Sequence, residues 1–239
     1  MFNVSKFFSI LLGLSMSFHL QAAPIFNLFE LGIQQGKISL YDQVGEKNIQ
    51  TSIDNEQGTL AMYSLKNKEN SHLAYMVEIY ADETAYQTHL KSSQYQAFLK
   101  ASPDILTEHK KHIALTPRFL GDKKVTQTAT TRTNLVFVDV KPEFNQRFSE
   151  IVTAEMAESL KAEKGVIAMY AATLKEEPHK WLFFEIYADD TAYEYHRTTP
   201  HFQAYLAQTT EMLQDKRYTE IHPTLLGNKG GLDYLSPIH

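Results

Sequence analysis

Glu78-Ile79-Tyr80-Ala81-Asp82 and Glu185-Ile186-Tyr187-Ala188-Asp189 are the same pentapeptide at an offset of 185 − 78 = 107 residues. The offset persists on both sides. Gly58 recurs as Gly165, Ala61-Met62-Tyr63 as Ala168-Met169-Tyr170, His72 as His179, Thr84-Ala85-Tyr86 as Thr191-Ala192-Tyr193, and His89 as His196. Asn27-Leu28 recurs as Asn134-Leu135. A repeat of this length carries several elements and its own core, so it is a duplicated domain rather than a solenoid unit. The copies run over residues 24–121 and 132–227, with a polar, threonine-rich linker at 122–131 and a tail at 228–239 that opens on Lys229-Gly230-Gly231.

Copy two shows the element order best. Residues 135–140 form a β-branched strand, and Pro142 opens an amphipathic helix that places Phe144, Phe148, Ile151, Val152 and Met156 on one face before Gly165 ends it. Residues 166–174 and 181–187 are strands joined at Glu176-Glu177-Pro178, which makes a hairpin. Asp189 caps a second helix over 190–213, and 218–226 returns as the last strand. In copy one 28–33 and 59–65 are strands, while Gly36 and Gly45 predict a less regular first helix. The order βαββαβ predicts an α+β, ferredoxin-like domain whose antiparallel sheet has helices on one face and leaves the other bare. Two tandem copies can bury those bare faces sheet to sheet, which predicts an intramolecular eight-stranded α/β barrel and a monomeric pseudo-dimer.

Composition adds limits. With 43% hydrophobic and 12% aromatic residues each half can build a core. A net charge of −5 offers no basic stripe for nucleic acid. The chain has no cysteine, so no disulfide, thiolate nucleophile or thiolate metal site is available. Lys6, the apolar run from Phe7 to Phe18 and then Ala22-Ala23 have the layout of a signal peptide over 1–22. The run is too short for a stable membrane anchor, so an exported, periplasmic or secreted protein is expected.

Period-two alternation places Glu78 with Tyr80, and Glu185 with Tyr187, on one side of the strand that leads into the helix bearing His89 or His196. If that side faces the helix, each carboxylate can orient an imidazole that acts as a base. A carboxylate among apolar neighbours has a shifted pKa, suited to taking a proton from a phenol. A glutamate and a histidine bridging strand to helix are equally well explained as satisfied structural groups. Tyr63 and Tyr170 can donate to a quinol oxygen, although strand tyrosines also serve as packing. The recurring Asn27 and Asn134, with Tyr80 and Tyr187, complete the candidates for substrate contact. Trp181 stands where copy one has Ala74, so the two pockets are expected to differ in size. No metal site is expected, because His72 and His179 have no second recurring ligand at suitable spacing. Gly-x-Ser-x-Gly, phosphate-loop and His-Glu-x-x-His patterns are missing, which removes support for hydrolase and nucleotide chemistry.

The run from Gly58 to Tyr63, Glu78 to Tyr86, His89 and Tyr95-Gln96-Ala97-Phe98 resembles the antibiotic biosynthesis monooxygenase (ABM) family, and copy two repeats it with Gly165, Ala168-Met169-Tyr170, Glu185 to Tyr193, His196 and Phe202-Gln203-Ala204-Tyr205. The resemblance implies a dimeric α+β barrel, here fused. It also implies oxygenation of electron-rich phenols or quinols, with dioxygen as co-substrate and no flavin, haem or metal. Relatives that degrade haem carry a ligating histidine where this chain has Leu99 and Leu206, and a tryptophan where it has Tyr80 and Tyr187. Three functions follow: a cofactor-independent monooxygenase of a quinol or similar aromatic in the cell envelope, a non-catalytic binder of a small hydrophobic ligand, or a structural partner protein.

Overall fold

The computed structural model describes residues 23–237. The expected signal peptide over 1–22 lies outside the described residues. Among the described residues, no helix is long and apolar enough to cross a membrane.

Copy one runs β1 (Ile25–Ile33), α1 (Ile38–Asn55), β2 (Thr59–Asn67), β3 (Leu73–Tyr80), α2 (Glu83–Leu90), α3 (Ser93–Ile105) and β4 (Leu106–Asp122). Copy two runs β5 (Arg132–Val140), α4 (Asn145–Ala162), β6 (Val166–Leu174), β7 (Lys180–Tyr187), α5 (Asp190–Thr198), α6 (Pro200–Thr209), β8 (Leu213–Thr219) and β9 (Ile221–Asn228). A short strand, β10 (Asp233–Leu235), pairs with β4, so part of the expected tail is sheet. The last residue of each repeated pentapeptide is a helix cap: Asp82 accepts from the Ala85 amide and Asp189 from the Ala192 amide, each at 2.8 Å.

Three expectations are corrected. The single helix over 190–213 is two helices, because Thr199 caps a new start and Pro200 occupies its first turn. Copy one breaks likewise at Ser92, whose hydroxyl accepts from the Tyr95 amide. The first helix of copy one is regular for 18 residues despite Gly45, and Gly36 lies outside it, at φ +73°, in the turn that leads in. The last strand is longer than 218–226 and is divided at Glu220 into β8 and β9.

The division has a topological consequence. The first part of β4 pairs with β1 and its second part with β6, while β8 pairs with β5 and β9 with β2. Each copy's last strand therefore begins in its own sheet and ends on the edge of the other, giving the order β8-β5-β7-β6-β4-β1-β3-β2-β9. Since β8 and β9 are consecutive in the chain, the order closes on itself as an eight-stranded antiparallel barrel. Residues of both copies share its interior: Phe26, Leu28, Val77 and Ile79 pack with Leu135, Leu182, Phe184 and Ile186. The helices cover the outer faces, and Gly58 and Gly165 allow the approach. A Cβ there would stand 2.3 Å from Ala85 Cβ and 2.4 Å from Ala192 Cβ.

Candidate functional site

Alternation along β3 sends Tyr75, Val77 and Ile79 into the barrel and Ala74, Met76, Glu78 and Tyr80 toward the helices. The expected side is thus the helix side. There Glu78, 6% exposed, accepts from Tyr80 Oη at 2.8 Å. Burial raises its carboxyl to about 7, partly opposed by the Tyr80 hydrogen bond and aided by the charge of Glu56. Asn27 is its cross-strand neighbour, and Asn27 Nδ2 is buried without a hydrogen-bond partner among the described residues.

Glu78 lines a cavity of about 170 Å³ between the sheet and helices α1 and α3. The walls are mainly apolar, with Phe29, Leu31, Tyr41, Ile49, Met76 and Phe98, and the exposed Leu99 and Lys110 lie at the rim. A cavity of ~150 Å³ holds benzene, so this one accepts a single aromatic ring. Gly45 forms part of the wall, and a Cβ there would meet no heavy atom within 4 Å.

His89 is not bonded to Glu78. Its Nδ1 lies 3.0 and 3.2 Å from the two carboxylate oxygens of Glu56, at the end of α1, and its ring packs 5.3 Å from Tyr80 and 4.8 Å from Tyr95. It is fully buried and does not line the cavity. Burial lowers the imidazole pKa, and Glu56 opposes that shift. The expected pairing of Glu78 with His89 is therefore replaced by Glu56 with His89, because the strand carboxylate is engaged by Tyr80 while the helix end reaches the imidazole. Copy two repeats this: His196 Nδ1 lies 3.0 Å from Glu163, and Glu185 accepts from Tyr187 Oη at 2.9 Å and from Asn134 Nδ2 at 3.1 Å.

Tyr63 and Tyr170 lie on the opposite face of the sheet from the glutamates. They sit inside the barrel, with hydroxyls 2.7 Å apart, and Tyr170 donates to Asp122 at 2.6 Å. The structure thus does not bring them to the helix-side cavity.

The helix-side space of copy two is about 40 Å³, room for little more than water. The difference follows residue by residue at the 107 offset: Val152 replaces Gly45, Trp181 replaces Ala74 and Phe183 replaces Met76. Trp181 stacks on Phe183, and its indole nitrogen donates to Asn145 at 2.8 Å. Two larger clefts of about 520 and 640 Å³ lie where the copies meet; they are broad and charged, and of the expected site residues only Asn134 reaches one.

Sequence reasoning missed Glu56 and Glu163, although the pair stands at the repeat offset two residues before Gly58 and Gly165. It also missed Glu155 and His201 beside His196, whose copy-one counterparts are Asn48 and Gln94 and carry no repeat signal.

The family "Antibiotic biosynthesis monooxygenase" matches residues 24–101 and 131–208. Two solved structures, both called "putative monooxygenase", are similar over nearly their whole length. One, from Fusobacterium nucleatum subsp. nucleatum, is 29% identical with a TM-score of 0.84, covering 90% of this chain and 99% of that one. The other, from Lactobacillus acidophilus, is 29% identical with a TM-score of 0.84, covering 89% and 99%. An anthrone oxidase-like protein shares the fold at 10% identity and a TM-score of 0.52, over 88% of this chain and 95% of that one. No curated protein matches the chain.

Proposed function

The chain belongs to the antibiotic biosynthesis monooxygenase family, and from that premise we propose that copy one is an oxygenase site for a quinol or similar electron-rich aromatic, with Glu78 as the base. The observation that carries this is the buried carboxylate, raised to about 7, on the wall of an apolar cavity the size of one ring. A carboxylate with that pKa is ionised in part at neutral pH and takes a phenolic proton with little driving-force penalty. Tyr80, donating to Glu78, holds it in place, and the His89–Glu56 pair fixes Tyr80 and Tyr95 from behind.

The phenolate so formed is electron-rich enough to reduce dioxygen. One oxygen atom ends on a ring carbon and the other leaves as water with two hydrogens of the substrate. The substrate supplies every electron, so this balance calls for no flavin, haem or metal. The protein contributes deprotonation, orientation and exclusion of water. In copy two the cavity is filled, so the same step has no room there. The apolar run and small residues near the N-terminus support action in the cell envelope.

Oxygen uptake by the full chain with menadiol and a panel of reduced phenols tests the reading, against autoxidation without protein. Uptake above that blank, lost in Glu78→Gln and kept in Glu185→Gln, is the expected result. Blank-rate uptake for every substrate, with the ring still bound in copy one, would make the protein a binder of small aromatics.

A further inference from the structure

We propose that copy two holds a divalent transition-metal ion of the zinc type in a site built from Glu155, His196 and His201, with Glu163 as the carboxylate that orients His196. One donor atom from each of Glu155, His196 and His201 lies within 4.8 Å of the other two. Glu163 Oε1 stands 3.0 Å from His196 Nδ1 and 2.7 Å from His201 Nε2. When His196 Nδ1 donates to it, Nε2 of that ring keeps its lone pair and lies 3.9 Å from Glu155 Oε1, while His201 would reach the ion through Nε2, exchanging its contact with Glu163 for the metal. A ligating imidazole whose second nitrogen donates to a carboxylate, as His196 has in Glu163, is the usual outer shell of a zinc site, and two imidazoles with one carboxylate are a zinc ligand set that leaves a position open.

Burial strengthens the case. Glu155, Glu163 and His196 are 8%, 3% and 1% exposed, and Glu163 Oε2 has no hydrogen-bond partner among the described residues. Among the described residues neither carboxylate has a lysine or arginine partner. Lys123, close by, donates instead to the backbone carbonyls of Glu163 and Val166. Buried carboxylates are ordinarily paired or coordinate metals. His201, with its side chain 20% exposed, gives an ion a route from solvent.

The comparison between copies shows where the site came from. Copy one keeps the histidine and the orienting glutamate, His89 and Glu56, but has Asn48 and Gln94 in place of Glu155 and His201. The two extra ligands, 201 − 155 = 46 residues apart, arise together in the copy whose ring cavity is filled. The spacing rules that argued against a metal could not see them, since they converge from α4 and α6.

The test is zinc titration of the EDTA-treated full chain by calorimetry and thermal melting, with zinc-edge X-ray absorption on the loaded protein. Wild type is expected to bind about one ion per chain and to gain roughly 5–10 °C in Tm at a hundredfold excess over Kd. His201→Gln and Glu155→Asn should each lose that binding and that shift. Both variants carry the residue copy one already accommodates at the same place, and their metal-free circular dichroism checks the fold. The absorption spectrum of wild type should show two imidazoles on the ion. Absence of stoichiometric binding, its retention in either variant, or a spectrum with fewer than two imidazoles would overturn the proposal; retention would place the ion on surface histidines.

Discussion

Tyr63 Oη and Tyr170 Oη, 107 residues apart in the chain, lie 2.7 Å from each other inside the barrel, where the two copies meet. Their surroundings are unequal. Tyr170 also donates to the buried Asp122 at 2.6 Å, so Tyr170→Phe strands a carboxylate as well as a hydroxyl. We expect it to lower unfolding stability by about 2–3 kcal/mol, as for a hydrogen bond to a charged group, and Tyr63→Phe by about 1 kcal/mol. Urea unfolding of both variants measures the difference. Equal losses would mean that Asp122 finds another donor. Oxygen uptake should be unchanged in both, because the pair is across the sheet from the cavity.

Glu78 makes a second prediction, in which the sign matters. Its folded pKa of about 7 lies above the ordinary 4.5, so between those values the native state binds more protons than the unfolded state. Stability therefore falls as pH rises from about 4.5 to 7, by up to about 3 kcal/mol from this group alone. Glu78→Gln removes the loss: compared with wild type it should be more stable at pH 8 and little changed at pH 4. Activity moves the other way. The rate per enzyme at low substrate should rise with pH through about 7 as the base ionises. Denaturant melts at the two pH values and a kcat/KM profile check both halves, and a flat profile would remove Glu78 as the base.

The fold was largely legible because the repeat offset and the two periodicities agree over most of each copy. Alternation alone put Glu78 and Tyr80 on one face, and Asp189 caps a helix as its position suggested, with Asp82 doing the same in copy one. The break at Thr199-Pro200 was readable too, since a capping residue before proline is a start signal inside the longer apolar pattern. What escaped was set by contacts distant in sequence. Glu56 reaches His89 across 33 residues, and Tyr63 turned out to face the barrel, on the opposite side of its strand from the cavity-lining Ser64. Nothing local in 106–122 or 213–228 marks the point where each last strand leaves one sheet for the other.

Gly58 and Gly165 recur because helices α2 and α5 sit almost on the backbone of the strands beneath them. An added Cβ would lie 2.3 Å from Ala85 Cβ and 2.4 Å from Ala192 Cβ, well inside contact distance, and neither neighbour is a flexible chain end. Gly58→Ala and Gly165→Ala should each destabilise by about 2 kcal/mol, in the range for overpacking a filled core. Thermal melting is sufficient, with about 4–8 °C lost per substitution. Pairing Gly58→Ala with Ala85→Gly should restore about half of the lost Tm, since glycine at position 85 of α2 itself costs about 1 kcal/mol, and no recovery beyond the single substitution would place the strain elsewhere.

Gly45 is the opposite case, a glycine with open space around it. A side chain there would point into the copy-one cavity and touch nothing within 4 Å at Cβ, whereas copy two has Val152 at the same place and a space of about 40 Å³. Glycine within a helix is less stable than alanine by about 1 kcal/mol, so Gly45→Ala should raise stability by about that amount and narrow the cavity. Gly45→Val should go further, occupying the space the aromatic ring needs, with no loss of Tm. The expected result is a folded protein whose KM for menadiol rises steeply or whose uptake falls to the blank rate, with Gly45→Ala in between. The two readouts move apart only if the cavity is where the ring binds. A Gly45→Val protein with full activity would put the substrate elsewhere in the molecule, and one with a lowered Tm would show that α1 cannot carry the larger residue.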